Sequence, residues 1–446
     1  MILQHKNILN YIYFFIPLFL ITGPALPDIS ITIFILIIII FKRNLIRKIN
    51  EPWMFFLFLL WLWFLIISFF AYNFEKSIID AIIFGRFIFF IILSFLIFDY
   101  FDKINIRNLL YFILICCFFV SIDCLYQFYN YSNDYGFGAD ILGRYPEGLY
   151  GRLNGPFNDL VPGSYLSRLL FFIFVLYFFV NNEDLKYNFY IKYFLYISTS
   201  LILVVIFFSG ERMALATTIL GYLICFIFAK ELRKLILITT FIASSLIVIN
   251  INLHPHFTNT VILESKPSHE GLTIQKKFQC NDDNESICVK EFLVQPAFTE
   301  VLKNFDKSAY GEIYMSAFHM WNDYKITGIG LNNFNILCND NSKYTKYNKN
   351  FGCTTHPHNL YIQALVETGL IGLIIFVTVV LVMFYKIYII EEKNIRYPLI
   401  ATYLTIFWPI MSTGSFLKNW NMVFICFTIS LCFIISKYGK LDKKFN

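Results

Sequence analysis

Charged residues are scarce in this chain of 446 residues. Asp, Glu, Lys and Arg make up 15% of it, whereas they form about 25% of a typical soluble domain. Hydrophobic residues make up 58%, and many apolar runs are long enough to cross a bilayer. The formal net charge of +6 is modest, so nucleic acid is not an expected partner. The composition excludes an ordinary soluble protein and predicts a polytopic integral membrane protein, with membrane lipids as its surroundings.

Polar segments are also few, and they separate about twelve apolar spans. The predicted spans are residues 8–24, 26–41, 52–71, 80–98, 108–128, 162–180, 192–208, 212–229, 235–252, 366–386, 397–412 and 420–436. Each is near the length that a membrane helix needs. Lys and Arg concentrate in the loops after even-numbered spans, so these loops and both termini are expected to face the cytoplasm. No small-residue processing site follows the first span, which is expected to stay uncleaved.

Two longer polar segments are therefore expected outside the membrane, near residues 129–161 and over residues 253–357. The predicted organisation has three parts. Residues 1–252 hold nine spans and the first outer loop, residues 253–357 form a large outer loop that folds as a subdomain, and residues 358–446 begin with an outer helix start and hold the last three spans. We expect function to be concentrated in the outer loops and at the outer helix ends.

An amphipathic helix is expected inside the large loop. Ile313, Ala317, Met320 and Tyr324 recur at helical spacing, which is typical of a helix that packs one face on an apolar surface.

The cysteines show no CxxC spacing, which argues against a zinc site. Six lie in predicted spans and are interpreted as small apolar side chains: Cys116, Cys117, Cys124, Cys225, Cys426 and Cys432. Cys280, Cys288, Cys338 and Cys353 lie in the large outer loop, where two disulfides are plausible. Proximity favours Cys280 with Cys288 and Cys338 with Cys353, and the two other pairings stay open. Two His-Pro-His sequences, at 254–256 and 356–358, would in principle supply zinc ligands, but we expect no metal.

Arg212 occupies a position where electrostatics disfavours a positive charge. It follows Ser209-Gly-Glu211 in a very short outer loop and starts a helix. The positive-inside rule and the helix dipole both disfavour a cation there. We therefore predict an anion beside it, held by Arg212 and the free amides of the helix start. The alternative is a snorkelling arginine that pairs with Glu211.

Three further arginines lie near the outer side or within spans. Arg152 is in a Gly-rich outer stretch, Arg168 is a turn or two inside the next span, and Arg86 is within the fourth span. Intramembrane arginine is costly and usually points into a polar interior. Each of them would serve equally well in a structural ion pair, but several facing a common outer cavity would suit a doubly anionic headgroup.

His358 lies where the large loop becomes a helix. Asn359, Gln363 and Glu367 follow at four-residue steps and form a polar stripe on an otherwise apolar segment. A neutral imidazole accepts a proton from a hydroxyl near pH 7. We predict that His358 is a general base supported by this stripe. The alternative is that His358 only caps the helix or bonds a loop carbonyl.

These residues also carry a resemblance. His358-Asn359, then nine residues, then Gly369-Leu-Ile-Gly372 resembles the signature of the O-antigen ligase family. Three further stretches are similar to the same superfamily: 151–157, 209–212, and 321–334 with its Gly328-Ile-Gly330. The chain departs from the family where an arginine often precedes the loop helix, because here the sequence is Tyr310-Gly-Glu-Ile-Tyr314.

The resemblance implies an all-α fold of the GT-C type in the bacterial inner membrane. It implies a glycosyltransferase of lipopolysaccharide biosynthesis that uses an undecaprenyl-pyrophosphate-linked glycan as donor and needs no metal or nucleotide. A ligase passes the glycan to a lipid A-core sugar on the periplasmic face. His358 would then be the base, Arg212, Arg152 and Arg86 would hold the pyrophosphate, and direct displacement would invert the anomeric centre.

Three alternatives stay open. O-antigen polymerases and O-linked protein oligosaccharyltransferases share all these sequence features. A polysaccharide transporter or flippase is disfavoured, because such folds tend to show internal repeats and polar residues at the midplane. This sequence shows no convincing duplication, and its polar residues gather near the predicted outer face.

Overall fold

The computed structural model describes residues 2–41, 51–97, 103–146, 149–159, 161–182, 188–258, 261–267, 272–279, 287–340, 342–345, 352–410 and 412–441. The chain forms two compact units. Residues 1–109 and 304–446 form the first, which we call the terminal unit. Residues 110–303 form the second, the central unit. The large loop predicted at residues 253–357 contributes to both.

The elements in chain order are α1 Ile2–Ile21, α2 Ala25–Phe41, α3 Pro52–Ser68, α4 Phe74–Leu96, α5 Lys103–Tyr129, α6 Pro162–Asn181, α7 Asn188–Phe208, α8 Arg212–Phe228, α9 Arg233–Leu253, α10 Pro255–Thr258, β1 Val261–Pro267, β2 Leu272–Gln279, β3 Ile287–Val294, α11 Phe298–Lys303, α12 Ala309–Asp323, α13 Phe334–Asp340, α14 Ser342–Thr345, α15 Leu360–Tyr388, α16 Lys393–Phe407 and α17 Asn419–Leu441. Each of the twelve predicted spans overlaps one of the long helices.

The described part of the chain contains seven helices that are long and apolar enough to cross a membrane, and four shorter apolar ones. The seven extend over Phe74–Leu96, Ile106–Tyr129, Pro162–Asn181, Phe189–Phe208, Lys230–Leu253, Leu360–Tyr388 and Asn419–Lys437. A multi-pass membrane protein is therefore confirmed. The count of about twelve spans and the GT-C type stay predictions.

In the terminal unit, α15 packs on α3, α12 and α16, and α17 packs on α4, α2 and α16. Local signals define the helix starts. Asn73 caps α4, because its side chain accepts a hydrogen bond from the amide of Lys76 at 3.0 Å. Pro52 opens α3 at a position where a helix needs no amide hydrogen.

Helix α15 is broken at Gly369, whose φ of 70° and ψ of −175° are not helical. The carbonyls of Val366 and Glu367 accept hydrogen bonds from the amides of Ile329 and Gly330, each at 3.0 Å. A Cβ at position 369 would lie 2.0 Å from the carbonyl oxygen of Ile326. Only glycine fits there. The loop that follows α12 is thus fixed to the first turns of α15, which carry the predicted polar stripe.

The predicted amphipathic helix is confirmed as α12. Ile313, Ala317 and Met320 are buried in one cluster with Val366 of α15, and Tyr324 packs against it. The predicted disulfide Cys338–Cys353 joins the same cluster, with its Cα atoms 5.4 Å apart. Cys288 is also disulfide-bonded, and its predicted partner Cys280 lies outside the described residues.

In the central unit, α6 is buried along nearly its whole length and packs on α7 and α8, while α9 packs on α7. The unit also contains a three-stranded antiparallel sheet of order β1-β2-β3. The prediction of an all-α protein is wrong for this segment. Ile274, Lys276 and Phe278 are buried and alternate with more exposed residues along β2, and this period-two pattern is the signal that could have predicted the strand.

Candidate functional site

His358 lies two residues before Leu360, the first residue of α15, and has a φ of 54°. This left-handed conformation costs a residue with a side chain on the order of 1–3 kcal/mol and persists only where the surroundings impose it. The amide of Thr413 donates a hydrogen bond to the carbonyl of His358 at 2.8 Å. The loop between α16 and α17, which we call the 408–418 loop, therefore helps to hold His358 in place.

The imidazole of His358 is half-buried and lies among other rings. Its centroid is 4.0 Å from that of His356 and 6.3 Å from that of Tyr310. Burial, and then the charge of Lys418, lower the pKa of His358. Burial and the neighbouring His358 lower the pKa of His356 to about 3. Both imidazoles are consequently neutral at pH 7, the form that can accept a proton.

Asn359 is the N-cap of α15. Its side-chain oxygen accepts from the amides of Tyr361 and Ile362 at 2.9 and 3.1 Å. Its side-chain nitrogen donates to the carbonyl of Pro409 at 2.8 Å. The alternative in which His358 caps the helix is therefore wrong, and the imidazole is not needed for capping.

The rest of the polar stripe joins α15 to the 408–418 loop. Gln363 donates to the hydroxyl of Ser415 at 2.7 Å and to the carboxyl of Glu367 at 3.2 Å, and it accepts from the amide of Phe416 at 3.3 Å. Gln363 and Glu367 are each 1% exposed. The stripe thus connects the helix after His358 to the same loop that binds the His358 carbonyl.

Arg86 lies on α4 beside a cavity of about 290 Å³. Its guanidinium is 3.0 Å from the carboxylate of Asp28 and donates to the side-chain oxygen of Asn419 at 2.9 Å. Asn419 in turn donates to Asp28 at 3.2 Å. The ion-pair alternative is therefore what the structure shows for Arg86, and Asp28 already supplies an anion to it.

In the central unit, Arg152 packs on the Ser209-Gly-Glu-Arg212 motif. Its Nε donates to the carbonyl of Ser209 at 2.7 Å. Gly210 has a φ of 73°, and a Cβ there would lie 2.5 Å from Cδ of Arg152. The motif and the Gly-rich stretch around Arg152, distant in sequence, form one structural feature.

Glu211 turns away from its own helix and caps α6. Its carboxylate accepts from the amides of Gly163 and Ser164 at 2.6 and 3.0 Å and from the hydroxyl of Ser164. Burial raises the pKa of Glu211, while Ser164 and then Arg152 oppose this shift. Arg168 also interacts electrostatically with Glu211.

Arg212 opens α8, whose start has no side-chain cap among its described neighbours. Its guanidinium donates to the carbonyl of Pro296, just before α11. The side chain is half-buried. The described contacts of Arg152 and Arg212 therefore include main-chain carbonyls that fix the position of each guanidinium.

The structure brings His358, Asn359, Gln363 and Glu367 together and places Arg86 in the same unit. Arg152, Arg168 and Arg212 belong to the central unit. A common cavity for both groups stays a prediction.

Sequence reasoning missed several of the neighbouring residues. Asp28 and Asn419 are polar residues in the first turns of apolar helices, a local signal that was available. Thr413 and Lys418 carry no such signal. Tyr310, in the stretch that departs from the family pattern, bonds the hydroxyl of Ser412 at 2.8 Å.

Comparison with models of known protein families finds a match over residues 197–377, to the family described as O-antigen ligase. This range contains the Ser209–Arg212 motif and the whole signature from His358 to Gly372. The match confirms the resemblance to the O-antigen ligase and polymerase superfamily. No curated protein matches the chain.

Proposed function

We propose, from the match of residues 197–377 to the O-antigen ligase family, that this protein is a membrane glycosyltransferase of the ligase type. It moves a glycan from undecaprenyl pyrophosphate to a lipid A-core sugar on the periplasmic face of the inner membrane, with inversion and without a metal. The family match is the observation that carries this proposal. It supports a role in O-antigen assembly with lipid-linked glycans as substrates.

His358 is the proposed general base. Its neutral imidazole accepts the proton of the acceptor hydroxyl as that oxygen attacks the anomeric carbon. Two observations support this role. The hydrogen bond from the amide of Thr413 fixes the backbone of His358, and Asn359 rather than His358 caps α15. Asn359, Gln363 and Glu367 support the base indirectly, because they fix α15 to the loop that binds the His358 carbonyl.

Arg212 and Arg152 are the proposed pyrophosphate ligands. Guanidinium groups bind phosphate oxygens in a bidentate manner. Main-chain carbonyls fix both side chains, so little rotamer freedom is lost when an anion binds. The same prediction for Arg86 is weaker, because Asp28 lies 3.0 Å from its guanidinium.

The proposed reaction is a single displacement. A bond forms between the acceptor oxygen and the anomeric carbon while the bond from that carbon to the pyrophosphate oxygen breaks. The proton passes to His358, and undecaprenyl pyrophosphate leaves with the electron pair. Because pyrophosphate is a good leaving group, orientation and a few kcal/mol of charge stabilisation suffice.

A deletion strain of the source bacterium tests this assignment through the glycan ladder on its lipopolysaccharide. A ligase predicts loss of all O-antigen from the core and its return with the wild-type gene. A core that keeps a single repeat unit would identify a polymerase instead. Unchanged lipopolysaccharide with an unglycosylated protein would identify an oligosaccharyltransferase, and a cytoplasmic store of lipid-linked glycan would identify a flippase.

A further inference from the structure

We propose that the cavity beside Arg86 in the terminal unit binds one uncharged sugar ring, that of the acceptor. This inference rests on the proposed function and names the place where the acceptor sugar is held. The residues that line the cavity are Asp80, Ile83, Phe84, Arg86, Phe87, Leu417 and Asn419.

The charges of the cavity favour a neutral ligand over a diphosphate. The lining residues include one guanidinium, Arg86, and one carboxylate, Asp80. Asp28 lies 3.0 Å from the guanidinium and neutralises it. A doubly anionic group would meet the Asp80 carboxylate without a surplus of positive charge, which is unfavourable at low dielectric. An uncharged ligand avoids this repulsion.

The polar atoms of the cavity suit hydroxyl groups, which both donate and accept. Nε of Arg86 is buried and has no hydrogen-bond partner within the described part of the chain, so it is available as a donor. Asp80 accepts from the side chain of Asn332 at 2.8 Å, and a carboxylate has room for further donors. Asn419 adds an amide. The apolar walls, which include Phe84 and Phe87, suit the C–H faces of a sugar ring.

The volume sets the size of the ligand. Small-molecule sites typically measure about 300–1,000 Å³, and this cavity measures about 290 Å³. A single ring is therefore the appropriate ligand, rather than an oligosaccharide or a lipid chain.

Contacts of the 408–418 loop favour the acceptor sugar over a donor sugar. The amide of Thr413 binds the carbonyl of His358 at 2.8 Å. Leu417, near the end of the same loop, lines the cavity, and Lys418 acts electrostatically on His358. One short segment therefore contacts both the proposed base and the cavity, and this base acts on the acceptor hydroxyl.

The kinetic test compares two carboxylate-to-amide variants on the same helix. Asp80→Asn removes a charged acceptor from the cavity, and Glu75→Gln changes an exposed carboxylate in the first turn of α4. In transfer assays with purified protein, Asp80→Asn should raise the acceptor KM about tenfold, the effect of one lost charged hydrogen bond. The donor KM should not change, and Glu75→Gln should match wild type. A raised donor KM with an unchanged acceptor KM would overturn the assignment.

A second test fills the cavity with a larger side chain and leaves all of its polar side chains unchanged. Ile83→Trp places a large side chain at a lining position, and Ile79→Trp makes the same change one turn earlier, at an exposed residue outside the lining. Ile83→Trp should raise the acceptor KM, and Ile79→Trp should not. Equal effects of the two variants would contradict the proposal.

A binding measurement separates this inference from the proposed function. Saturation-transfer NMR of the detergent-solubilised protein with methyl hexosides should show sugar binding that Ile83→Trp removes and that inorganic pyrophosphate does not displace. Displacement by pyrophosphate, or undiminished binding to Ile83→Trp, would overturn the sugar site. If sugar binds as expected while no acceptor is glycosylated, the site stands and the proposed transfer fails.

Discussion

The terminal and central units both place arginines near polar loops, but the described contacts of these arginines differ. Arg86 in the terminal unit meets the carboxylate of Asp28 at 3.0 Å. Arg152 and Arg212 in the central unit donate to the main-chain carbonyls of Ser209 and Pro296. In sequence all three are candidates for an anion site, with Arg212 the one that electrostatics singles out. The structure supports different proposals for them: a sugar-binding cavity beside Arg86 in the terminal unit, and pyrophosphate binding by Arg152 and Arg212 in the central unit.

The largest expected effect comes from removing the base of the terminal unit. Replacing His358 by Ala should lower the transfer rate by about 10²–10⁴, the usual contribution of a positioned general base. The donor KM should stay near the wild-type value, because the proposed pyrophosphate ligands belong to the central unit. Steady-state transfer assays with purified protein at varied donor concentration measure both.

His319→Ala, on α12 of the same unit, is the matched control and should transfer glycan at the wild-type rate. Both variants should elute from gel filtration as the wild type does. A His358→Ala rate above a tenth of wild type would remove the base assignment.

Replacing Gly369 should destabilise the terminal unit without changing any ionisable group. In Gly369→Ala the new Cβ would lie 2.0 Å from the Ile326 carbonyl oxygen at a φ of 70°, so we expect a loss of about 3 kcal/mol or more of stability. Thermal unfolding in detergent measures this loss.

Gly143→Ala provides the comparison in the central unit, because Gly143 has a φ of 81° but no atom within 4 Å of its would-be Cβ. Only the backbone penalty of about 1–2 kcal/mol applies there. If the two variants unfold at the same temperature, the close contact of Gly369 with the loop that follows α12 does not stabilise the unit.

Matched lysine substitutions test the contrast between the arginines directly. Lysine keeps the charge but loses the bidentate geometry. Arg212→Lys should lower kcat/KM for the lipid-linked donor about tenfold, the equivalent of about 1.4 kcal/mol. Arg86→Lys should leave the donor KM unchanged, because lysine can still pair with Asp28. The reverse pattern would show that the anion site lies at Arg86.

The pH dependence should be the smallest effect. The pKa of folded His358 is lowered from 6.5, so its neutral form persists below the pH at which a free imidazole is protonated. Transfer should change by less than about twofold between pH 8 and pH 6.5 and fall only at lower pH. A fall with a midpoint at or above pH 6.5 in the pH–rate profile would contradict a His358 imidazole that is neutral because its pKa is lowered.

The lowered histidine pKa values also predict how stability depends on pH. His356 and His358 bind protons more readily in the unfolded chain than in the folded one, so the stability that these two groups contribute is complete above about pH 6.5 and declines as pH falls below it. Thermal unfolding of the wild type and of His356→Ala at pH 7.5 and pH 5.5 isolates the contribution of His356.

Most of what the sequence predicts correctly about the fold and the site comes from patterns of residues that are close together in the chain. The helical spacing of Ile313, Ala317 and Met320 identifies α12, and short separation identifies the Cys338–Cys353 disulfide. The stripe after His358 is likewise visible from its spacing. In each case the residues concerned are separated by only a few helical turns or one short loop, so their spacing in the sequence is enough to predict the feature.

Contacts between distant segments could not be predicted in the same way. Asp28 and Asn419 are 391 positions apart, and Glu211 caps a helix whose residues lie 47 and 48 positions away. Neighbouring residues alone suggest an ion pair between Glu211 and Arg212. In the structure, the carboxylate of Glu211 instead accepts hydrogen bonds from two amides and one hydroxyl at the start of α6. The β-sheet was missed because charged residues lie on both faces of its strands, as Lys276 and Lys277 do in β2, and weaken the alternation of apolar and polar residues.

The most direct test of the account is transfer by purified protein in detergent, where no second compartment exists. The reaction contains undecaprenyl-pyrophosphate-linked glycan and, in separate samples, lipid A-core, a second lipid-linked repeat unit and an acceptor protein. The account predicts that glycan appears on lipid A-core, that free undecaprenyl pyrophosphate is released, and that chelators have no effect. Absence of product with every acceptor, from protein that is folded and binds the donor, would contradict it.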